Sequence, residues 1–409
     1  MTPRYRWVVL GVGAGAQAAL SASAYGLSAI APAIRSRYGL DLVQTGTVLT
    51  AVMAGMALTN LLWGAATDRF GEAKTLLGGL AGAAAALIGA AFVPGYLSLL
   101  AALVAAGMLG CVAVSAGGRA IMAWFPLRER GTALGIRQMT VPLGGGLAAL
   151  GLPPLLFRFG LGACLLGLGA FLALAAAAGP LMRRAPRPEG ARPAPGPSPL
   201  RDLRIWRVAS AGALMMAGQM SLVTYLTTFL THRGLGLAAA AALLALLQWT
   251  GAAGLVAMGR ASDRLGTRIG VLRISALASS AGLVGLGLAA GAALPLVLAL
   301  LIATGLVSLT WNGLNFTATA EIAGSARAGT ALGLQATLFA CASVGGPVAF
   351  AALVAAGGWT WGYVFAGGLG LLALWLLNPL AVQERAGWGA PAEAQAHPTQ
   401  APPGRPGAS

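Results

Sequence analysis

Two short phrases recur in this chain, each about half its length after the first appearance, and a chain that repeats itself in this way folds as two copies of one unit. Gly64-Ala65-Ala66-Thr67-Asp68-Arg69-Phe70-Gly71 returns 195 residues later as Gly259-Arg260-Ala261-Ser262-Asp263-Arg264-Leu265-Gly266. Gly131-Thr132-Ala133-Leu134-Gly135 returns 198 residues later as Gly329-Thr330-Ala331-Leu332-Gly333. The two offsets agree to within three residues, so the stretches between the phrases are duplicated nearly in register.

The repeated unit is built for lipid. Of 409 residues, 57% are hydrophobic and 9% charged, and the mean hydropathy is +0.79. Apolar runs long enough to cross a bilayer, about 20 residues each, predict helices at 8–31, 43–64, 75–93, 99–124, 132–154, 160–181, 207–231, 238–259, 273–292, 294–320, 330–355 and 360–379. The expected fold class is an all-α membrane protein with 12 transmembrane helices in two pseudo-symmetric six-helix bundles, 1–182 and 207–382. Between them, 183–206 is rich in Pro and Arg and reads as a solvated, semi-extended connector. The Ala-, Pro- and Gly-rich tail at 383–409 reads as disordered. The first run is too long for a signal peptide and has no small-residue cleavage site, so it reads as a retained helix.

A net charge of +16 would suit a nucleic-acid binder, but the placement of the charges argues otherwise. Basic residues crowd alternate loops, around Arg4 and Arg6, Arg69 and Lys74, Arg128 and Arg130, Arg183 to Arg207, Arg264 to Arg273, Arg327 and Arg385. The intervening loops carry little beyond Arg35, Arg37, Arg158 and Arg233. This positive-inside asymmetry predicts a multi-pass plasma-membrane protein with both termini and the connector cytoplasmic. No nucleic-acid partner is expected, and the basic patches read as topology signals and lipid-headgroup contacts. Cys111, Cys164 and Cys341 fall inside predicted helices without metal-ligand spacing, so no metal or disulfide framework is expected. No nucleophile–base pair, metal-ligand cluster or phosphate loop is legible, so neither catalytic residues nor cofactors are expected and the chain does not read as an enzyme.

With both loop phrases in view, the chain resembles the major facilitator superfamily over essentially its whole length. The resemblance rests on the G-x-x-x-D-R-x-G phrase between the second and third helices, with its echo between the eighth and ninth. It implies the fold that bears the superfamily's name, and a cytoplasmic gate made of Gly64, Asp68, Arg69, Gly71 and Arg130 with Gly259, Asp263, Arg264 and Gly266. By the same resemblance, Asp68 faces a helix end in the other half and Arg69 ties down the neighbouring loop, with Asp263 and Arg264 in the mirror position. Glu72 departs from the pattern, standing where the superfamily usually repeats basic residues; it is expected to pair with Arg69 or Lys74, or to be solvated. Phe125 to Gln138 is most similar to branches that carry nitrate, nitrite and small carboxylates. Val141-Pro142-Leu143-Gly144-Gly145 is similar to an exchanger motif but has Val141 in place of its leading glycine, which leaves antiport open.

None of the ten acidic residues lies at mid-depth in a predicted helix, so a buried carboxylate relay for protons is not expected. Glu321 is marginal and reads as a surface partner of Arg327. Two arginines do enter the membrane, Arg119 and Arg137. Each either snorkels to headgroups or faces an aqueous path, where a guanidinium fork suits an anion. Through the 198-residue offset they correspond to Thr317 and Gln335, so the duplicated architecture does not itself require them. Polar residues at helical spacing mark the path: Gln17, Ser21, Tyr25 and Ser28; Ser221, Thr224, Tyr225 and Thr228; Asn312, Asn315 and Thr319. Gln219, Gln248 and Gln335 add mid-span polar groups. The expected substrate-binding set is therefore Arg119, Arg137, Gln17, Tyr25, Gln219, Tyr225, Gln248, Asn312, Asn315 and Gln335.

The functional expectation is a monomeric secondary or facilitative carrier that moves a small anion by alternating access. The alternative is efflux of hydrophobic or drug-like compounds, which the largely apolar interior would also suit. A transport fold recruited as a sensor is a third class, unsupported by any appended signalling domain.

Overall fold

The computed structural model describes residues 4–183 and 198–385, and among these all regular structure is helical. Most of the connector expected at 183–206 and of the tail expected at 383–409 lies outside the described residues. Ten helical stretches are long and apolar enough to cross a membrane. Two of them, Leu127–Leu181 and Ala328–Arg385, run to double length and turn back at Gly160 and Gly358. These glycines adopt φ of 79° and 80°, a backbone that a residue with a Cβ avoids. They stand 198 residues apart, so the repeat extends to its hinges.

The molecule is thus an all-α membrane protein of twelve spans in two pseudo-symmetric six-helix bundles. Spans one to four are Tyr5–Tyr38, Gln44–Phe70, Glu72–Ala90 and Tyr96–Trp124, and spans five and six are the two arms of Leu127–Leu181. Spans seven to ten are Leu203–His232, Ala242–Leu265, Ile269–Leu288 and Leu294–Ala323, and spans eleven and twelve are the arms of Ala328–Arg385. Many large apolar side chains point outward, Leu58, Leu150, Phe157 and Trp375 among them. In a bilayer this carries no hydrophobic cost, and close packing of small residues holds the helices together instead.

Several boundaries differ from the sequence reading. The repeated phrase reads as a loop because of its glycines and charges, yet Gly64–Phe70 is the last part of a continuous helix that stops at Gly71, φ 88°. Its copy behaves alike, with helix to Leu265 and Gly266 at φ 66°. Span seven starts at Leu203 rather than 207, where the Asp202 side chain accepts from the Arg204 N–H at 2.9 Å. The last helix continues to Arg385, past the expected start of the tail. Spans four and ten are each interrupted midway, at Cys111 and at Leu309–Trp311, again 198 residues apart at their first residues. Next to the first break, the Met108 carbonyl accepts from Thr59 Oγ1 at 2.7 Å and Trp63 Nε1 at 2.6 Å, side chains of span two.

The two bundles meet along span two against span eleven and span five against span eight. At one end these seams are closed by backbone contact. A side chain on Gly64 would overlap the Gly329 carbonyl, and one on Gly259 would overlap that of Gly131. The same end carries Phe70, Trp124, Arg130, Leu265 and Arg385 and is called the basic end below. At the opposite end, Tyr25 and Ser28 of span one and Thr224 and Thr228 of span seven are exposed.

Candidate functional site

At the basic end, the Asp68 carboxylate reaches the first turn of span eleven. Its Oδ1 accepts from the Gly329 N–H at 3.0 Å, and its Oδ2 accepts from the Thr330 N–H at 2.7 Å and the Thr330 hydroxyl at 2.6 Å. A helix start leaves such N–H groups unsatisfied and carries a partial positive charge, so Asp68 serves as an N-cap supplied by the other bundle. Arg119 of span four forms an ion pair with the same carboxylate, its Nε 3.1 Å from Oδ1, and its Nη1 is bonded to Glu72. All three side chains are nearly enclosed.

The repeat copies this latch. Asp263 accepts from the Gly131 N–H at 3.1 Å, the Thr132 N–H at 2.8 Å and the Thr132 hydroxyl at 2.7 Å, at the start of span five. Arg268 bonds Asp263 at 2.6 Å and Glu321 at 3.2 Å, and it crosses the seam to the Leu127 carbonyl at 2.7 Å. Burial works against the charge on Arg268, but Glu321 and Asp263 more than offset it and hold its pKa above the ordinary arginine range. Each latch is braced by one arginine and one glutamate from the bundle that supplies its aspartate, with opposite polarity. In the second bundle the loop gives the arginine and span ten the glutamate. In the first, the start of span three gives Glu72 and span four gives Arg119.

These positions change several readings. Arg119 faces neither headgroups nor a solute path, because Asp68 and Glu72 occupy its guanidinium. Glu72 pairs with Arg119, not with Arg69 or Lys74. Arg69 is exposed and lies over the Phe70 ring at 5.3 Å instead of tying down a loop. Arg264 is exposed as well, and Arg268, which the sequence reading used only as a topology signal, stands beside Asp263. Arg130 caps the end of span four, donating to the Phe125 carbonyl at 3.0 Å and the Met122 carbonyl at 2.9 Å. Glu321 has a side chain only 8% exposed, so it is no surface group. Glu384 had no assigned role; its carboxylate accepts from the Arg268 N–H at 2.6 Å and the Thr267 hydroxyl at 2.6 Å, and so caps span nine.

Arg137 lies deeper and is fully buried. Its Nη2 donates to Gln17 Oε1 at 2.7 Å, the Ala113 carbonyl at 3.0 Å and the Val114 carbonyl at 2.8 Å. Nη1 reaches Gln138 Oε1 only at 3.5 Å, and Nε has no acceptor. No carboxylate lies against it among the described residues. The guanidinium is accommodated because Gly117 has no side chain; a methyl there would stand 2.7 Å from Nε. A buried charge held only by neutral acceptors is costly, by several kcal/mol before compensation.

The second bundle builds the same node from neutral groups. Gln335, the repeat partner of Arg137, donates to Asn315 Oδ1 at 2.6 Å, and Asn315 donates to the Val208 carbonyl at 3.2 Å. Asn315 corresponds to Gly117, and Gly212, which leaves room for the Asn315 amide, corresponds to Gln17. Gln335 and Asn315 are therefore engaged with each other inside the bundle. Gln219 is buried with its Oε1 unpartnered, Asn312 is half-buried with Oδ1 unpartnered, and Gln248 is half-buried. Tyr25 is 48% exposed at the opposite end, while Tyr225 stacks on Phe350 with centroids 5.3 Å apart. The expected substrate-binding residues thus separate: Arg119 lies in a latch, Arg137, Gln17, Gln335 and Asn315 lie in enclosed nodes, and Tyr25, Gln219, Tyr225, Gln248 and Asn312 lie in neither.

The family model described as Major Facilitator Superfamily matches residues 13–257 and 238–402. An uncharacterised MFS-type transporter of Mycobacterium tuberculosis is 34% identical over 359 residues, covering 85% of this chain and 79% of that protein. A hexuronate transporter of Bacillus subtilis is 29% identical over 122 residues, covering 30% of this chain and 29% of that protein. Among solved structures, the proton:xylose symporter XylE superposes with a TM-score of 0.71 at 15% identity, covering 92% of this chain and 96% of that one, a likeness of fold.

Proposed function

The chain belongs to the Major Facilitator Superfamily and is a membrane transporter, and from that premise we propose that it carries a small anion by alternating access. In this reading the basic end is cytoplasmic, as the loop charges favour. The two aspartate latches close that end while the path stands open on the other side.

The observation that carries the proposal is Arg137. It is a permanent positive charge, fully buried with no anionic partner among the described residues, at a position where the repeat has glutamine. Such a charge is stabilised whenever an anion approaches, and it disfavours cations in the same place. The partial similarity to a hexuronate transporter points the same way, since a hexuronate is itself a carboxylate. Neutral polar groups, Gln219, Gln248 and Asn312, would then orient the rest of the solute.

The efflux alternative draws on one feature of the second bundle. Tyr225, Phe229, Phe350, Trp359 and Tyr363 pack together around the hinge at Gly358. Their repeat partners in the first bundle are Ile30, Ile34, Leu152, Leu161 and Leu165. An aromatic wall on one side only would suit a flat apolar solute.

Uptake into proteoliposomes decides between the two. Wild-type protein should exchange labelled small carboxylates or nitrate, and Arg137→Gln should abolish that exchange while the protein remains folded. Undiminished anion exchange by Arg137→Gln, or transport confined to apolar cations, would overturn the reading.

A further inference from the structure

Arg137 is enclosed from two directions by its own bundle and from a third by the other. Gly117 and Gly118 of span four leave a gap alongside the guanidinium. At Gly118 an added methyl would lie 3.8 Å from Arg137 Nη1 and would collide with Leu332 Cδ1. Leu332 belongs to span eleven and is fully buried. It therefore fills, from across the seam, the space that Gly118 leaves open beside Arg137.

Leu332 stands two residues after Thr330, whose N–H and hydroxyl are held by Asp68. Two residues of helix are about 3 Å of rise, so the cover and the latched turn move as one piece. Release of span eleven by Asp68 would therefore draw Leu332 away from Gly118 and open the flank of Arg137 towards the basic end. Elsewhere Gln17 and the Ala113 and Val114 carbonyls hold the group.

We propose that Arg137 forms an anion site whose access from the basic end is capped by Leu332 and is uncovered only when the Asp68 latch opens. This deepens the anion reading above and rests on it. The ligand class follows from the donors and the space. One guanidinium calls for a monovalent anion; Nη1, the group on the Gly118 side, has only a long contact, so its N–H groups are available to a small oxyanion. The space vacated is that of a leucine side chain, four heavy atoms, the size of nitrate or acetate or of the carboxylate end of a somewhat larger acid.

The test labels the cover. With Cys111, Cys164 and Cys341 replaced by Ser, Leu332→Cys is placed in vesicles of known orientation. A membrane-impermeant thiol reagent is added to one side at a time, with and without nitrate or acetate. Labelling is expected from the basic face alone, about tenfold or more faster when Asp68→Asn is added, and slowed by either anion. That slowing should disappear in Arg137→Gln and partly return in Arg137→Lys, which keeps the charge. If either Arg137 variant is poorly folded, the other still reads the dependence on charge.

Labelling from the opposite face, or protection that persists in Arg137→Gln, overturns the proposal. Exchange measured on the Leu332→Cys parent separates the two claims. Anion exchange without protection removes the site and leaves the carrier reading intact; absence of both removes both.

Discussion

Replacing Asp68 by asparagine tests the latch with the least change in shape. The carboxylate accepts two backbone N–H groups and a hydroxyl from the start of span eleven and also pairs with Arg119. Asparagine keeps one oxygen and turns an NH₂ towards a donor, so at least one N–H at the helix start loses its acceptor. Hydrogen bonds to a charged group contribute roughly 1.5–3 kcal/mol each against about 0.5–1.5 for neutral ones, and the contributions are not additive. The closed basic end should therefore lose about 2–4 kcal/mol, which shifts a two-state equilibrium by roughly 30- to 700-fold. Nitroxide labels on Lys74→Cys and Ser325→Cys, exposed residues of the two bundles at that end, would report the change by pulsed electron resonance. A second, longer distance should appear in Asp68→Asn and be absent from the parent. An unaltered distance distribution in well-folded protein would refute the argument that this carboxylate holds the bundles together.

Two further outcomes follow from the same geometry. Glu72→Arg alone sets two guanidinium groups side by side and should open the basic end and lower thermal stability, whereas Glu72→Arg with Arg119→Glu gives the first bundle the polarity of the second and should restore both, as read by the same distance measurement and by melting temperature. Gly64→Leu meets the Gly329 carbonyl of the opposing bundle, so it should hold the seam apart and raise labelling of Leu332→Cys from the basic face without unfolding either bundle.

Much of this structure was legible in the sequence because membrane physics simplifies the code. Apolar runs must be helices, since the backbone has no other partner in lipid. The two repeated phrases reveal the duplication. The reading failed where a side chain's partner is distant along the chain. Arg119 looked like a charge entering a solute path because its partners, Asp68 and Glu72, lie about fifty residues earlier, and helical spacing does not join them. Glu72 had been matched to its neighbours in sequence for the same reason. The phrase around Asp68 looked like a loop because Gly64 reads as a helix breaker, and only the facing Gly329 shows why the helix needs a bare position there. Leu332 carried no functional signal: a leucine in an apolar run is invisible until the seam is seen.

The two enclosed nodes allow a stricter experiment, because the repeat supplies its own control. Gln17, Gly117 and Arg137 in the first bundle stand where Gly212, Asn315 and Gln335 stand in the second. Gln335 bonds Asn315, Asn315 bonds the Val208 carbonyl, and Gly212 leaves room for the amide, so the neutral version needs no charge, with Gln335 Oε1 left unpartnered. The triple replacement Gln17→Gly, Gly117→Asn and Arg137→Gln writes that version into the first bundle. Exchanging a buried charge for neutral groups is often neutral or stabilising by about 1–4 kcal/mol, so the melting temperature should hold or rise. Anion exchange should nevertheless vanish, since no positive charge remains at this node. Stability retained with transport lost isolates the guanidinium as the selecting group. Transport retained would show that Arg137 only fastens helices, and the chemistry of the solute would then have to be sought among Gln219, Gln248 and Asn312.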